Sequence, residues 1–242
     1  MLPAGSPGLE ISGSALGPSA PPVDLMIVRE DGSLEGSLDD AEADAALVSA
    51  GTAAISSGTS TVLELAGHQL FVEAFPVRPR LVVVGAVEVA VALVRLGHEL
   101  GYETVLIDGR PAFATRERFP HVDRLVIGWP DEVADGLELG RGDAVAVLSH
   151  DPKFDDPAIT VALERECRYV GAIGSRKTQR ARRERLAAAG LSEEQLARLR
   201  GPIGLDLGGR EPAETALAII SEIVAARHGA SGGALVGKAA PR

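Results

Sequence analysis

The chain has 242 residues, a mass of 25.1 kDa and a formal charge of −10, from 24 Lys and Arg against 34 Asp and Glu. That balance argues against a general nucleic-acid binder, which needs clustered cations for phosphates, and 3% aromatic residues leave little for base stacking. The single cysteine, Cys167, excludes an internal disulfide and a four-cysteine zinc site.

The first 22 residues are rich in Gly, Pro, Ser and Ala and read as a flexible lead-in. They lack the basic start and apolar run of an export signal, and the stretch from Leu81 to Val94 is too short to span a bilayer. The expectation is a soluble, cytoplasmic protein with no membrane contact. A strand over Asp24 to Arg29 is followed by Glu30-Asp31-Gly32-Ser33, where Asp-Gly signals a hairpin. A helix is expected over Asp39 to Ser49, and strands over Thr61 to Leu65 and Gln69 to Phe75. These make a small α+β unit over residues 23–78, closed by Pro76-Val77-Arg78-Pro79.

From residue 79 to 228 apolar strands alternate with helices. The strands are Arg80 to Val84, Glu103 to Ile107, Asp123 to Ile127, Ala144 to Ser149 and Arg168 to Ile173, and Val87 to Leu100 has helical periodicity. Strands apolar on both faces and separated by helices predict an α/β fold, a Rossmann-like doubly wound parallel sheet. Residues 229–242 read as a flexible tail.

Three loops follow strands and carry chemistry. Gly85-Ala86-Val87-Glu88-Val89-Ala90 occupies the place of a G-x-G-x-x-G/A dinucleotide fingerprint, with Val87 where the second glycine should stand. Its branched side chain crowds a pyrophosphate, and Glu88 adds a like charge; Asp108 stands where an acid would accept ribose hydroxyls. The turn is either an altered nucleotide site or a fold that has lost dinucleotide binding, and tight NAD(P) binding is disfavoured. Next, Ser149-His150-Asp151-Pro152-Lys153 leaves a buried strand at the carboxyl edge, where open α/β sheets bind ligands. His150, Asp151 and Lys153 are candidates to hold a substrate or move a proton. Asp155 or Asp156 is expected to cap the following helix, with Pro157 at its first position. In the third loop, Gly174, Ser175 and Arg176 open a helix where cations are favourable only beside an anion. The later Arg182, Arg183 and Arg185 read as a solvated face. Asp206, in the glycine-rich stretch 201–209, either holds a ligand hydroxyl or braces its loop. Cys167 reads as an inert core thiol, and no metal site or catalytic residue is assigned.

The order LVVVGAVEVA, LIDGRPAFATRERFP, VLSHDPKFDDPAI, YVGAIGSRKT and GPIGLDLGGREPAETALAI resembles the XdhC/CoxI family over residues 79–228. Its pattern has GAGHVA, an acid-Arg-Pro turn, T/S-H-D-x-K-x-D-D-P, YVGxIGSRR and GLDIGAxTPEEIA. Residues 12–78 resemble the family's N-terminal unit in shortened form. Gly36-Ser37-Leu38-Asp39-Asp40-Ala41 stands where the family continues to a cysteine, which is absent here. The resemblance implies a maturation factor for xanthine or carbon monoxide dehydrogenase. Such a factor binds the molybdenum cofactor, as molybdopterin or its dinucleotide, and assists its sulfuration and insertion into the apoenzyme. Because parallel strands end on one edge, His150, Asp151 and Lys153 are expected to converge with Gly85, Asp108 and the Gly174 turn over one crevice. The candidate cofactor site is Gly85, Asp108, Arg110, His150, Asp151, Lys153, Gly174, Ser175, Arg176 and Asp206. The molybdoenzyme apoprotein is the expected partner, with a sulfurtransferase and a homodimer as further options. A nicotinamide-dependent oxidoreductase and a noncatalytic ligand-binding or scaffold module are the alternatives.

Overall fold

The computed structural model describes residues 8–12, 25–65, 68–75, 78–133 and 135–236. The remaining parts of the lead-in and tail, and Pro76 and Val77 of the boundary, lie outside them. The chain divides into two compact units, Met1–Val77 and Arg78–Arg242.

In the first unit, strands β1 (Gly8–Ser12), β2 (Met26–Arg29), β3 (Leu34–Glu35), β4 (Thr61–Leu65) and β5 (His68–Phe75) form an antiparallel sheet ordered β3-β2-β1-β5-β4. Its central strand comes from the segment read as lead-in, because Gly8–Ser12 pairs with both β2 and β5. Helix α1 (Ala41–Ser57) runs beyond the expected Ser49, since Leu47 and Ala54 both bury against Met26, Val28, Leu70 and Val72. Asp40 caps its start by accepting the amides of Glu42 and Ala43, and Gly58 ends it at φ +66°.

The second unit contains β6 (Arg80–Val84), α2 (Glu88–Glu99), β7 (Glu103–Asp108), β8 (Arg124–Ile127), α3 (Pro130–Val133), β9 (Ala144–Val147), α4 (Pro152–Glu164), β10 (Tyr169–Ala172), α5 (Arg176–Ala188), α6 (Glu193–Ala197), β11 (Leu199–Arg200) and α7 (Pro212–Arg227). All six strands are parallel, in the order β11-β10-β9-β6-β7-β8. The order reverses between β6 and β9, the switch point at which doubly wound sheets bind ligands. Alternation along each strand divides the core. Leu81, Val83, Leu106, Ala146 and Tyr169 pack with α2 and α7. Val82, Val84, Ile107, Val147 and Ala172 pack on the other face with α4, α5 and α6. Val84 pairs with Ile107 and Val147, and Val147 with Ala172, so the loops after these strands leave one common edge. The two-residue β11 was not expected; it is too short to show a period, and its pairing with Val170 and Gly171 defines it.

Candidate functional site

The turn after β6 is built for close packing. Gly85 has φ +107°, and a Cβ there would lie 3.0 Å from the Ser149 nitrogen. Glycine is therefore required where this turn crosses the loop after β9. Beside it, Asp108 is 2% exposed, and all four acceptor positions of its carboxylate are filled. The Ala86 amide donates to Oδ2 at 2.7 Å, the Arg110 amide to Oδ1 at 2.9 Å, and the Arg110 guanidinium to both oxygens at 2.7 and 2.9 Å. Burial pushes the carboxyl upward, but these hydrogen bonds outweigh it and hold Asp108 below the usual aspartate range. The acid is committed to the protein, while Arg110 remains half exposed and stacks 4.6 Å from the Phe113 ring centroid. Val87 gives α2 no side-chain cap, and Glu88 turns to Arg118 at 3.4 Å.

After β9, Asp151 caps α4 by accepting the Lys153 amide at 3.0 Å, with Pro152 as the first helical residue. This corrects the expectation that Asp155 or Asp156 caps the helix and that Pro157 opens it. The helix starts earlier, Pro157 lies inside it, and both acids turn toward α5. Ser149 is 9% exposed and donates its hydroxyl proton to Asp155 at 2.5 Å, while the Asp151 amide donates to Ser149 Oγ at 3.3 Å. His150 is exposed.

Between these two loops lies a cleft of about 560 Å³, whose walls include Asp108, Arg110, Ser149, His150, Asp151, Trp129 and Phe154. Trp129 meets Phe154 edge-on, with centroids 5.5 Å apart and planes at 63°. Gly109 lies against both rings, its Cβ position being at ordinary van der Waals distance from Phe154, 3.6 Å, and Trp129, 3.8 Å. The sequence reading did not single out these aromatics. A signal existed, because Trp129 is the chain's one tryptophan and follows the end of β8 by two residues.

The Gly174 turn leaves the same sheet edge, from the strand beyond β9. Gly174 has φ +131°, Ser175 caps α5 by accepting the Thr178 amide at 3.2 Å, and Arg176 is exposed. Gly174, Ser175, Arg176 and Lys153 are not among the cleft's walls. Asp206 is exposed on a loop that turns onto α7, where Gly204 donates to Glu222 at 2.7 Å, and it too stands apart from the cleft.

Arg182 requires a correction, since it is 1% exposed and not part of a solvated face. Gln179, Arg182 and Leu186 lie at helical spacing on the buried side of α5, and Arg182 meets Asp155 there at 2.8 Å. Arg183 and Arg185 are also engaged, the first by the Leu196 and Leu199 carbonyls and the second by Asp156 at 2.7 Å. Cys167 is fully buried, and that burial pushes its thiol up to about 12, as fits an unreactive core group.

Among the described residues, no helix is long and apolar enough to cross a membrane. The XdhC Rossmann domain model matches residues 81–223. A Bacillus subtilis protein named as a probable xanthine dehydrogenase subunit is 27% identical over 158 residues, covering 65% of this chain and 46% of that protein. The Escherichia coli molybdenum cofactor insertion chaperone PaoD is 26% identical over 148 residues, covering 61% of this chain and 40% of its own. The chain thus spans less than half the length of these relatives. A crystal structure of a Bacillus halodurans protein named as a xanthine dehydrogenase matches with a TM-score of 0.55 at 16% identity, covering 97% of this chain and 95% of that one, a likeness of fold. With a family model matching more than half of its length, the chain belongs to the XdhC Rossmann domain family.

Proposed function

We propose that this protein is a maturation factor for a molybdoenzyme of the xanthine or carbon monoxide dehydrogenase type, and that the molybdenum cofactor is its cargo. The observation that carries the reading is the composition of the switch-point cleft, in a chain whose relative PaoD is named as a molybdenum cofactor insertion chaperone. Molybdopterin is a phosphorylated, fused-ring pterin whose pyrimidine ring is flat and heteroaromatic. Trp129 and Phe154 offer it an aromatic wall, and the exposed Arg110 guanidinium and the His150 imidazole offer donors for phosphate. Asp108 serves this site indirectly, by holding Arg110 in place.

The strand order suits a nucleotide, and so an NAD(P)-dependent oxidoreductase is the competing reading. Two observations oppose it: the filled acceptor positions of Asp108 leave none for a ribose diol, and Val87 stands where a pyrophosphate must approach the backbone. The noncatalytic scaffold remains as a third reading, in which the cleft holds no cofactor. The finer steps belong to the same proposal: sulfuration of the cofactor with a sulfurtransferase as donor, a dinucleotide form of the cargo, and delivery in the cytoplasm. So does the involvement of the Gly174-Ser175-Arg176 turn, Lys153 and Asp206, which could contact the longer cargo or the receiving apoenzyme.

The single tryptophan makes the reading testable, because emission excited selectively at tryptophan, apart from the two tyrosines, reports on the cleft. Protein purified from molybdenum-replete cells is expected to carry a pterin detectable by mass spectrometry. Titration with a pterin monophosphate is expected to quench Trp129, and NAD to leave it unchanged. Absence of bound pterin together with unquenched fluorescence would refute the cofactor role, and NAD binding near the micromolar range, roughly −8 kcal/mol, would favour the oxidoreductase.

A further inference from the structure

Beneath the cleft, a chain of buried polar groups runs from the loop after β9 to the turn after β10. The Ser149 hydroxyl donates to Asp155 Oδ1 at 2.5 Å, and Asp155 Oδ2 takes the Arg182 guanidinium at 2.8 Å. The other arm of Arg182 donates to Gln179 Oε1 at 2.8 Å and to the Ile173 carbonyl at 3.1 Å. Gln179 in turn donates to the carbonyls of Ala172 and Ile173 at 2.8 and 3.1 Å. Asp155, Gln179 and Arg182 are all at most 3% exposed. The network therefore ties together the two loops that leave the neighbouring strands β9 and β10.

An apolar contact would be the ordinary solution at this place. Asp155 shares its side of α4 with Phe154, Ala158 and Ile159, and Arg182 shares its side of α5 with Leu186. Removing both charges from water is costly, and a well-packed apolar pair is often equally or more stable. Arg182 adds to that cost, since its buried Nε has no hydrogen-bond partner among the described residues. Burial also leads the effects on Asp155, raising its carboxyl above the usual range despite the two partners. Stability alone does not account for such a pair. Orientation does, because the one proton of Ser149 is directed into the pair, which leaves its lone pairs for the Asp151 amide, at the lip of the cleft.

We infer that Asp155 and Arg182 are positioning residues of the cleft, which lock Ser149, His150 and Asp151 in one register against the Gly174 turn. The inference rests on the cleft being the cargo site, and its test separates the two. In the double variant Asp155→Leu with Arg182→Met, an apolar pair replaces the ions, and thermal unfolding is expected at or above the wild-type midpoint. Hydrogen–deuterium exchange in the peptides covering residues 148–156 and 172–176 is expected to quicken at least tenfold in that variant. Affinity for a pterin monophosphate, read from Trp129 fluorescence, is expected to fall about tenfold. Ser149→Ala, which cuts the network at the cleft and leaves the ion pair in place, is expected to quicken exchange in the 148–156 peptide and to weaken binding of the pterin monophosphate to the same degree. The triple variant should add nothing further, as expected for groups acting in series. A folded double variant with wild-type exchange would overturn the positioning role whatever the ligand, and so would full additivity between the two sets of substitutions. If the wild type itself ignores the pterin probe, the cargo reading fails, while the exchange data still decide whether the pair holds the loops.

Discussion

Two buried carboxylates stand at the same edge of the parallel sheet, each paired with an arginine, and they behave oppositely. Asp108, at the end of β7, is 2% exposed, but its arginine reaches outward with 55% of its side chain exposed. Asp155, in the first turn of α4, is 1% exposed, and its partner Arg182 is buried with it at 2%. Asp108 collects four hydrogen bonds, two of them from backbone amides, and its carboxyl is held low. Asp155 has one hydroxyl and one guanidinium for compensation, and burial wins. The number of donors that replace water, more than the presence of a counter-ion, decides which way a buried acid shifts. The outward pair offers a cation to solvent, and the inward pair is spent on geometry.

The largest effect is expected at the inward pair. Arg182→Ala leaves Asp155 buried without a counter-ion and should cost about 3–5 kcal/mol in urea unfolding. The turn that joins the two regions comes next. Gly85→Ala forces a Cβ against the Ser149 backbone at φ +107° and should cost about 1–3 kcal/mol, with disturbance of the cleft seen as a shift in Trp129 emission.

Asp108→Asn is expected to cost about 2 kcal/mol at neutral pH, through loss of charge-assisted bonds to Arg110 and the amides. Its pH dependence separates the two acids by sign. A lowered carboxyl stabilises the fold above the ordinary aspartate range, and that stability is lost as pH falls through the folded-state value. The gap between wild type and Asp108→Asn should therefore close on acidification below about pH 4. For Asp155, whose carboxyl is raised, the folded state binds the extra proton, so wild type should lose ground to Asp155→Asn as pH rises above about pH 4. Parallel slopes for the two variants would erase the contrast.

Arg110→Ala should have the smallest effect on stability, about 1–2 kcal/mol, because the buried Asp108 loses two donors but keeps its two backbone amides, and water can enter where the half-exposed guanidinium stood. Its effect on ligand is expected to exceed that: loss of one charge-assisted bond to phosphate, about 1.5–3 kcal/mol, is tenfold or more in affinity. Equal affinity in the variant would remove Arg110 from the phosphate site.

How much of this was legible in the sequence depends on the range of the interaction. The parallel sheet announces itself in runs such as Leu81 to Val84 and Ala144 to Val147, because burial on both faces demands apolar residues without interruption. The carboxyl-edge location of Asp108, His150 and Gly174 follows from their place directly after strands, since parallel strands all end on one side. Glycine at position 85 was readable as a turn, but its close approach to Ser149 was not, because nothing local says which loop crosses it. Arg182 was misread for the same reason. Among so many basic neighbours its charge suggests solvent, and only the packing of α5 against α4 brings it to Asp155, 27 residues away. The Trp129–Phe154 wall likewise joins the end of β8 to the start of α4. Periodicity and turn chemistry are properties of neighbouring residues, so the sequence alone determined the longer strands of the parallel sheet and their order along the chain, whereas β1 and β11 are defined only by pairing with distant strands. The burial of a charge and the pairing of distant side chains depend on how helices rotate against the sheet, and only the tertiary structure decided those.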